Sequence, residues 1–225
     1  MASIPLAQSQ VMMGLNRMNM QPQHAHLAIL SYMSSARLAD LPEIFTHADA
    51  RSAGWSDRDL YAMRDRGDIE RLARGIYAQP ELTADPDLVE IVIRAPDATL
   101  CLTSALACHD LTDEIPSSIH VALPRTRRSP RTEAPATWHR FGNASFELGR
   151  TELAISDGLS IGLYSPARSI VDAYRLRHLY GTEQALDALK RWLQMRGNQP
   201  SELLDMARRF PKASPAIRGA LQTLL

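Results

Sequence analysis

Most of the chemistry this chain can offer is that of arginine. Arg58 and Arg64 share a short amphipathic stretch with Ser56 and Tyr61, Arg71 and Arg74 follow closely, and Arg125, Arg127, Arg128 and Arg131 form the most basic short run. A guanidinium stays protonated in proteins and makes no general base, but its planar fork donates two parallel hydrogen bonds to a guanine edge or a phosphate. The residue types therefore point to recognition of nucleic acid, and bond-making chemistry finds no matching pattern. There is no Walker A or GxGxxG sequence and no nucleophile signature around a Ser or Cys. A restriction-type nuclease would need a carboxylate followed by a Glu-x-Lys or similar triad, and neither Lys190 nor Lys212, the only two lysines, stands in such a context. His109, Asp110, Asp113, Glu114, His120 and His139 match no metal-ligand spacing. We expect no catalytic residue, no metal and no cofactor.

Composition narrows the partner without naming it. The 225 residues carry 25 basic and 25 acidic side chains, so the net charge is zero and any contact with DNA must come from a local patch. The preference for arginine over lysine suits phosphate recognition, although GC-rich coding accounts for it as readily. Asp57, Asp59, Asp65, Asp68 and Glu70 lie among the first arginines and partly cancel them, so charge alone also fits an ordinary solvated face. The later run from Arg125 to Arg131 contains no acid and fits either a second contact, with nucleic acid or an acidic partner surface, or a solubilising loop. Cys101 and Cys108 lack CxxC spacing and are expected as buried, reduced thiols of a cytosolic protein. With no apolar run near the roughly 18 residues of a membrane span and no signal-peptide pattern, the expected location is the cytoplasm, away from membranes.

The elements that must position these residues can be read in part. Residues 1–23, rich in Met, Gln and Asn, read as a flexible arm. A first helix is expected from His24 to about Leu38 and a second after Pro42, ended by Gly54. Ser56, with Asp59 three residues on, is an acidic variant of the capping box and starts a third helix whose Leu60 and Met63 face inward; Gly67 closes it. Ser56, Arg58, Tyr61 and Arg64 then lie at its exposed start and flank, and DIERLARGIYAQP (68–80) folds into a hairpin that carries Arg71 and Arg74. Helices followed by a two-stranded wing make a winged helix-turn-helix, with the third helix in the major groove and the wing on the backbone.

Beyond a linker around Pro80, Asp85 and Pro86 open a helix. Residues 99–111 read as another apolar helix and 118–124 as a strand, and 152–164 as a hairpin turning at Asp157–Gly158. The tail is helical, broken at Gly181, Gly197 and Pro211. Arg168 and Asp172, four apart, read as a structural ion pair. The expected architecture is α+β: an arm (1–23), a winged helix (24–82), and a larger mixed domain (83–225) ending in a helical bundle.

Three blocks in order resemble one family. GWSDRDLYAMRDRGDIERLARGIYAQP (54–80), closing on Arg74 to Tyr77, is similar to the N-terminal winged helix of the AbiEi antitoxins, and the similarity continues through LTSALACHDLTDEIPSSIHVALPRTRRSPR (102–131) and YSPARSIVDAYR (164–175). The resemblance implies a repressor that binds repeats in its own promoter through the N-terminal domain and, through the C-terminal domain, neutralises a cognate nucleotidyltransferase toxin. The third helix is more acidic than relatives suggest. A stand-alone regulator without a toxin is the alternative of the same class, and a nucleic-acid-processing enzyme the one of another class.

Overall fold

The computed structural model describes Leu38, residues 41–80 and residues 82–225. The expected arm, most of the expected first helix and Glu81 lie outside the described residues. The fold is α+β, and the chain divides into two compact units, Met1–Leu82 and Thr83–Leu225.

In the first unit, β1 (Ile44–Thr46) leads into α1 (His47–Ser52) and α2 (Asp57–Arg66), followed by β2 (Glu70–Ala73) and β3 (Ile76–Ala78). The strands pair antiparallel in the order β1-β3-β2, which makes β3 central and buries all three of its residues. Leu60 and Met63 face inward as the spacing predicts, and they close on Phe45, Ile69 and Tyr77. The second helix does not directly follow Pro42: β1 stands there first, and α1 begins only at His47. A three-residue edge strand has little signature of its own, because its partners come from β3, where Ile44 faces Ala78.

The second unit opens with α3 (Pro86–Arg94), capped by Asp85 through the amides of Asp87 and Leu88. It continues through β4 (Thr99–Leu100), α4 (Leu102–Cys108), β5 (Ile119–Pro124), β6 (Ala136–Phe141), the one-turn α5 (Asn143–Phe146), β7 (Arg150–Ser156) and β8 (Leu159–Tyr164). The tail holds α6 (Pro166–Arg175), α7 (Arg177–Tyr180), α8 (Thr182–Gln194), α9 (Pro200–Arg208) and α10 (Ser214–Leu224). The sheet order is β6-β5-β4-β8-β7. The expected hairpin is β7–β8, turning at Asp157 and Gly158. Residues 99–111 are not one helix: Thr99 and Leu100 join the sheet between β5 and β8, and helix begins only past Cys101. Cys101 is buried as expected, whereas Cys108, at the end of α4, is exposed; both are free.

β5 and β6 run parallel with Ile119 opposite Ala136, although only residues 125–135 connect them. The chain must return roughly 20 Å, the length of a six-residue strand. Eleven residues coiled as a helix would rise only about 16 Å, so the connection runs as an irregular strap. Pro130 and Pro135 disfavour a helix as well. The strap is held at its far end by Glu90, 2% exposed, whose Oε2 accepts from the amides of Glu133 (2.9 Å) and Ala134 (2.8 Å) while Oε1 accepts from Arg94 Nε at 2.5 Å. Burial would raise the Glu90 carboxyl, but these donors together bring it below its ordinary value.

Helix α6 is the hub of the bundle, with Ala167 to Tyr174 all buried. Arg168 and Asp172 sit in that run at 0% exposure. Nε of Arg168 donates to Asp172 Oδ2 at 2.9 Å, and Nη1 donates to the carbonyls of Ser145 and Leu148. The guanidinium lies over Tyr164 (4.1 Å to the ring centroid) and Phe210 (4.5 Å), and its Nη2 has no hydrogen-bond acceptor among the described residues. Arg175 Nη2 approaches Asp172 Oδ1 at 2.9 Å, off the hydrogen-bonding direction. Burial raises the Asp172 carboxyl against the pull of both arginines.

Candidate nucleic-acid interface

The two helices described in the first unit begin with the same device. Thr46 accepts from the Asp49 amide and Ser56 from the Asp59 amide, and each aspartate accepts in return from the backbone of its cap residue. The hydroxyl of Ser56 also donates to Asp59 Oδ2 at 2.7 Å, so it is engaged in the cap. Gly67, at φ 79°, terminates α2 in the left-handed conformation that glycine reaches without strain. Asp57 ties the helices together: its Oδ1 lies 3.0 Å from both Arg51 Nη1 and His47 Nε2, and Arg51, aided by His47, holds its carboxyl below the ordinary value.

This pairing decides how much charge α2 presents. The helix carries three arginines and three aspartates, but Asp57 turns to α1 and Asp59 to the cap. Asp65 takes up Arg64 (2.7 Å), and Asp68, beyond the helix, takes up Arg66 (2.7 Å). Arg58 is exposed and makes no hydrogen bond or ion pair among the described residues. Tyr61 is 53% exposed, with the Arg64 guanidinium 5.2 Å from its ring centroid. Arg71 and Arg74 are exposed on the hairpin, Arg71 beside the β-bulge, where its Nε donates to the Ala73 carbonyl at 3.3 Å. Arg58, Tyr61 and Arg64 thus share one helix, and Arg71 and Arg74 the adjoining hairpin. Sequence reasoning missed the helix-bridging role of His47, Arg51 and Asp57, and it missed the Thr46 cap, although Thr46 with Asp49 repeats the spacing of Ser56 with Asp59. The Ser56→Ala variant should lose about 1 kcal/mol of stability, since the Asp59 amide loses its acceptor; a urea transition followed through Trp55 fluorescence measures it.

In the second unit the strap separates its arginines. Arg125 lines one cleft with β6 and α7, while Arg127 and Arg128 line another with Arg94. The strap's charge is not wholly uncompensated: Arg127 Nε pairs with Asp97 Oδ2 at 2.6 Å, an acid 30 residues upstream. Among the residues considered as metal ligands, His109 faces the Tyr164 carbonyl, Asp113 pairs with Arg191 and Glu114 accepts from Gln184. His120 Nδ1 and His139 Nε2 come within 3.1 Å, with their rings stacked. Burial, with His120 and Arg175 adding to it, pushes His139 down to about 4.

Among the described residues, no helix is long and apolar enough to cross a membrane. No curated protein matches the sequence. Among solved structures, the RV2827C protein from Mycobacterium tuberculosis has a similar fold, with a TM-score of 0.50 at 17% identity over 85% of this chain and 80% of the other. Residues 35–80 match the model of a family described as "Transcriptional regulator, AbiEi antitoxin", so the chain carries over that segment the AbiEi-type sequence that its block at 54–80 resembles.

Proposed function

We propose that the first unit is a winged helix-turn-helix that binds double-stranded DNA, and that the protein is a cytoplasmic repressor of its own operon and the antitoxin to a nucleotidyltransferase toxin. The observation that carries this reading is a coincidence of place. The segment matched by the AbiEi family model contains the capped pair α1–α2 and the sheet whose β2–β3 hairpin is the wing of this reading. In this arrangement α2 enters the major groove, Arg58 and Arg64 reach base edges, and Arg71 and Arg74 hold phosphates beside the groove. Tyr61 packs on the backbone. Ser56 contributes through the helix start it caps, where amide groups and the dipole favour an anion. On the second unit, Arg125, Arg127, Arg128 and Arg131 supply an auxiliary contact for nucleic acid or an acidic toxin surface.

Gel shifts on the protein's own promoter over a range of salt test the assignment. Arg58→Ala should cost about 1–3 kcal/mol on the preferred site and relax base preference. Arg71→Ala or Arg74→Ala should weaken all sequences alike and lower the salt slope by about one unit each. Replacing the four strap arginines with Ser should reduce general affinity or neutralisation and leave base preference intact. Unchanged affinity in the Arg58, Arg71 and Arg74 variants and in Arg64→Ala would remove the surface proposed here. A neighbouring nucleotidyltransferase gene, whose product the protein silences on co-expression, is the expected finding for the antitoxin role.

A further inference from the structure

The second unit contains a cleft of about 460 Å³ whose charged lining is entirely cationic. Five basic residues converge on it from separate parts of the fold: Arg125 from the strap, Arg140 from β6, Arg175 from the end of α6, His178 from α7 and Lys212 from the turn before α10. Arg125, Arg140 and Lys212 are exposed, and their side chains make no hydrogen bond or ion pair among the described residues. Among the described residues, Arg175 has one carboxylate neighbour, Asp172, which is wholly buried and outside the cleft lining. Cations gathered in a concavity without an acid repel one another, and an anion placed among them removes that repulsion. The walls are not uniformly polar, because the 64% exposed Leu179 flanks the charges, while Phe141, 4% exposed, lies beneath the Arg175 guanidinium.

We propose that this cleft binds a small phosphorylated ligand of the nucleoside triphosphate class. Its volume lies in the range of small-molecule pockets, roughly 300–1,000 Å³. Its basic residues come from five separate parts of the fold and line one concavity, which suits a compact polyphosphate better than the extended backbone of a duplex, where contacts would be spread along a line. The exposed Leu179 offers an apolar surface for a base. The cleft shares Arg125 with the strap contact proposed above but no residue with the surface assigned to DNA on the first unit, and Arg140 and Lys212 lie outside the strap, so substituting them tests the cleft apart from both.

Titration calorimetry on the full chain tests the proposal, with ATP, pyrophosphate and sulfate as probes and a short DNA duplex as competitor. ATP should bind one to one and tighter than sulfate, with pyrophosphate retaining part of the affinity. The double variant Arg140→Gln/Lys212→Gln should bind ATP at least tenfold more weakly. The charge-matched Arg196→Gln/Arg209→Gln, on exposed positions outside the cleft lining, should bind like the parent. Circular dichroism spectra and melting temperatures of both doubles verify folding. The proposal is overturned if ATP binds no better than sulfate, or if both doubles lose affinity equally. It is overturned as well if the Arg140/Lys212 double weakens only the duplex, which would make the cleft part of a nucleic-acid surface.

Discussion

Asp172→Ala should destabilise the second unit by about 3–5 kcal/mol, the loss typical of removing one partner from a buried ion pair. The substitution leaves the Arg168 guanidinium at 0% exposure, with two carbonyls and aromatic faces but no counter-charge. Arg175 loses the same carboxylate. Replacing both members of the pair separates charge from space: Arg168→Met/Asp172→Leu removes the desolvation cost together with the attraction, and should lie closer to the parent than Asp172→Ala does. Urea transitions followed through Trp192, buried in the same cluster, measure both. If Asp172→Ala falls within 1 kcal/mol of the parent, or the double variant is the less stable of the two, the cluster does not hold the bundle in this way.

Gly149→Ala should cost about 2–5 kcal/mol, combining strain at a left-handed residue with overpacking. Gly149 has φ 69°, and a Cβ built there would stand 2.8 Å from Arg168 Cβ, 2.9 Å from Met206 Cε and 3.0 Å from Ser165 Oγ. Met206 can swing aside, but Arg168 Cβ is fixed by the helix and by the ion pair beyond it. Gly158→Ala is the natural control. Its φ of 74° imposes a similar strain, but nothing lies within 4 Å of the added atom, so it should lose only about 1–2 kcal/mol. Equal losses in the two variants, read from the same urea transition, would show that crowding against Arg168 contributes nothing.

What could be read from the sequence was whatever is encoded within a few residues. The Ser56–Asp59 cap, the inward Leu60 and Met63, the Gly67 stop and the Asp157–Gly158 hairpin all stand in the structure where local pattern placed them. The Arg168–Asp172 pair was legible too, since four residues is one helical turn. What escaped is set by distant partners. β1 and β4 are strands because β3 and β8 lie beside them, and two or three residues carry too little pattern to announce that. The charge of the strap is likewise tempered by Asp97, outside the run. The candidate interface was legible as a set of arginines. That Asp57 turns away from it toward His47 and Arg51 depended on how α1 meets α2.

The pairing of β4 with β8 bears on the order in which the molecule takes shape. Thr99 lies beside Gly162, a separation of 63 residues, whereas the widest pairing in the first sheet, Ile44 with Ala78, spans 34. Contacts distant along the chain are slow to form, because the intervening loop must be closed before any bonding rewards it. A ribosome adding roughly 5–20 residues per second needs about 4–16 s to travel from residue 82 to the end of β8. During that interval the first sheet has all its strands, while β4 still awaits a neighbour and leaves one edge open. The N-terminal unit is thus able to mature as a nascent domain seconds before the C-terminal sheet can be completed.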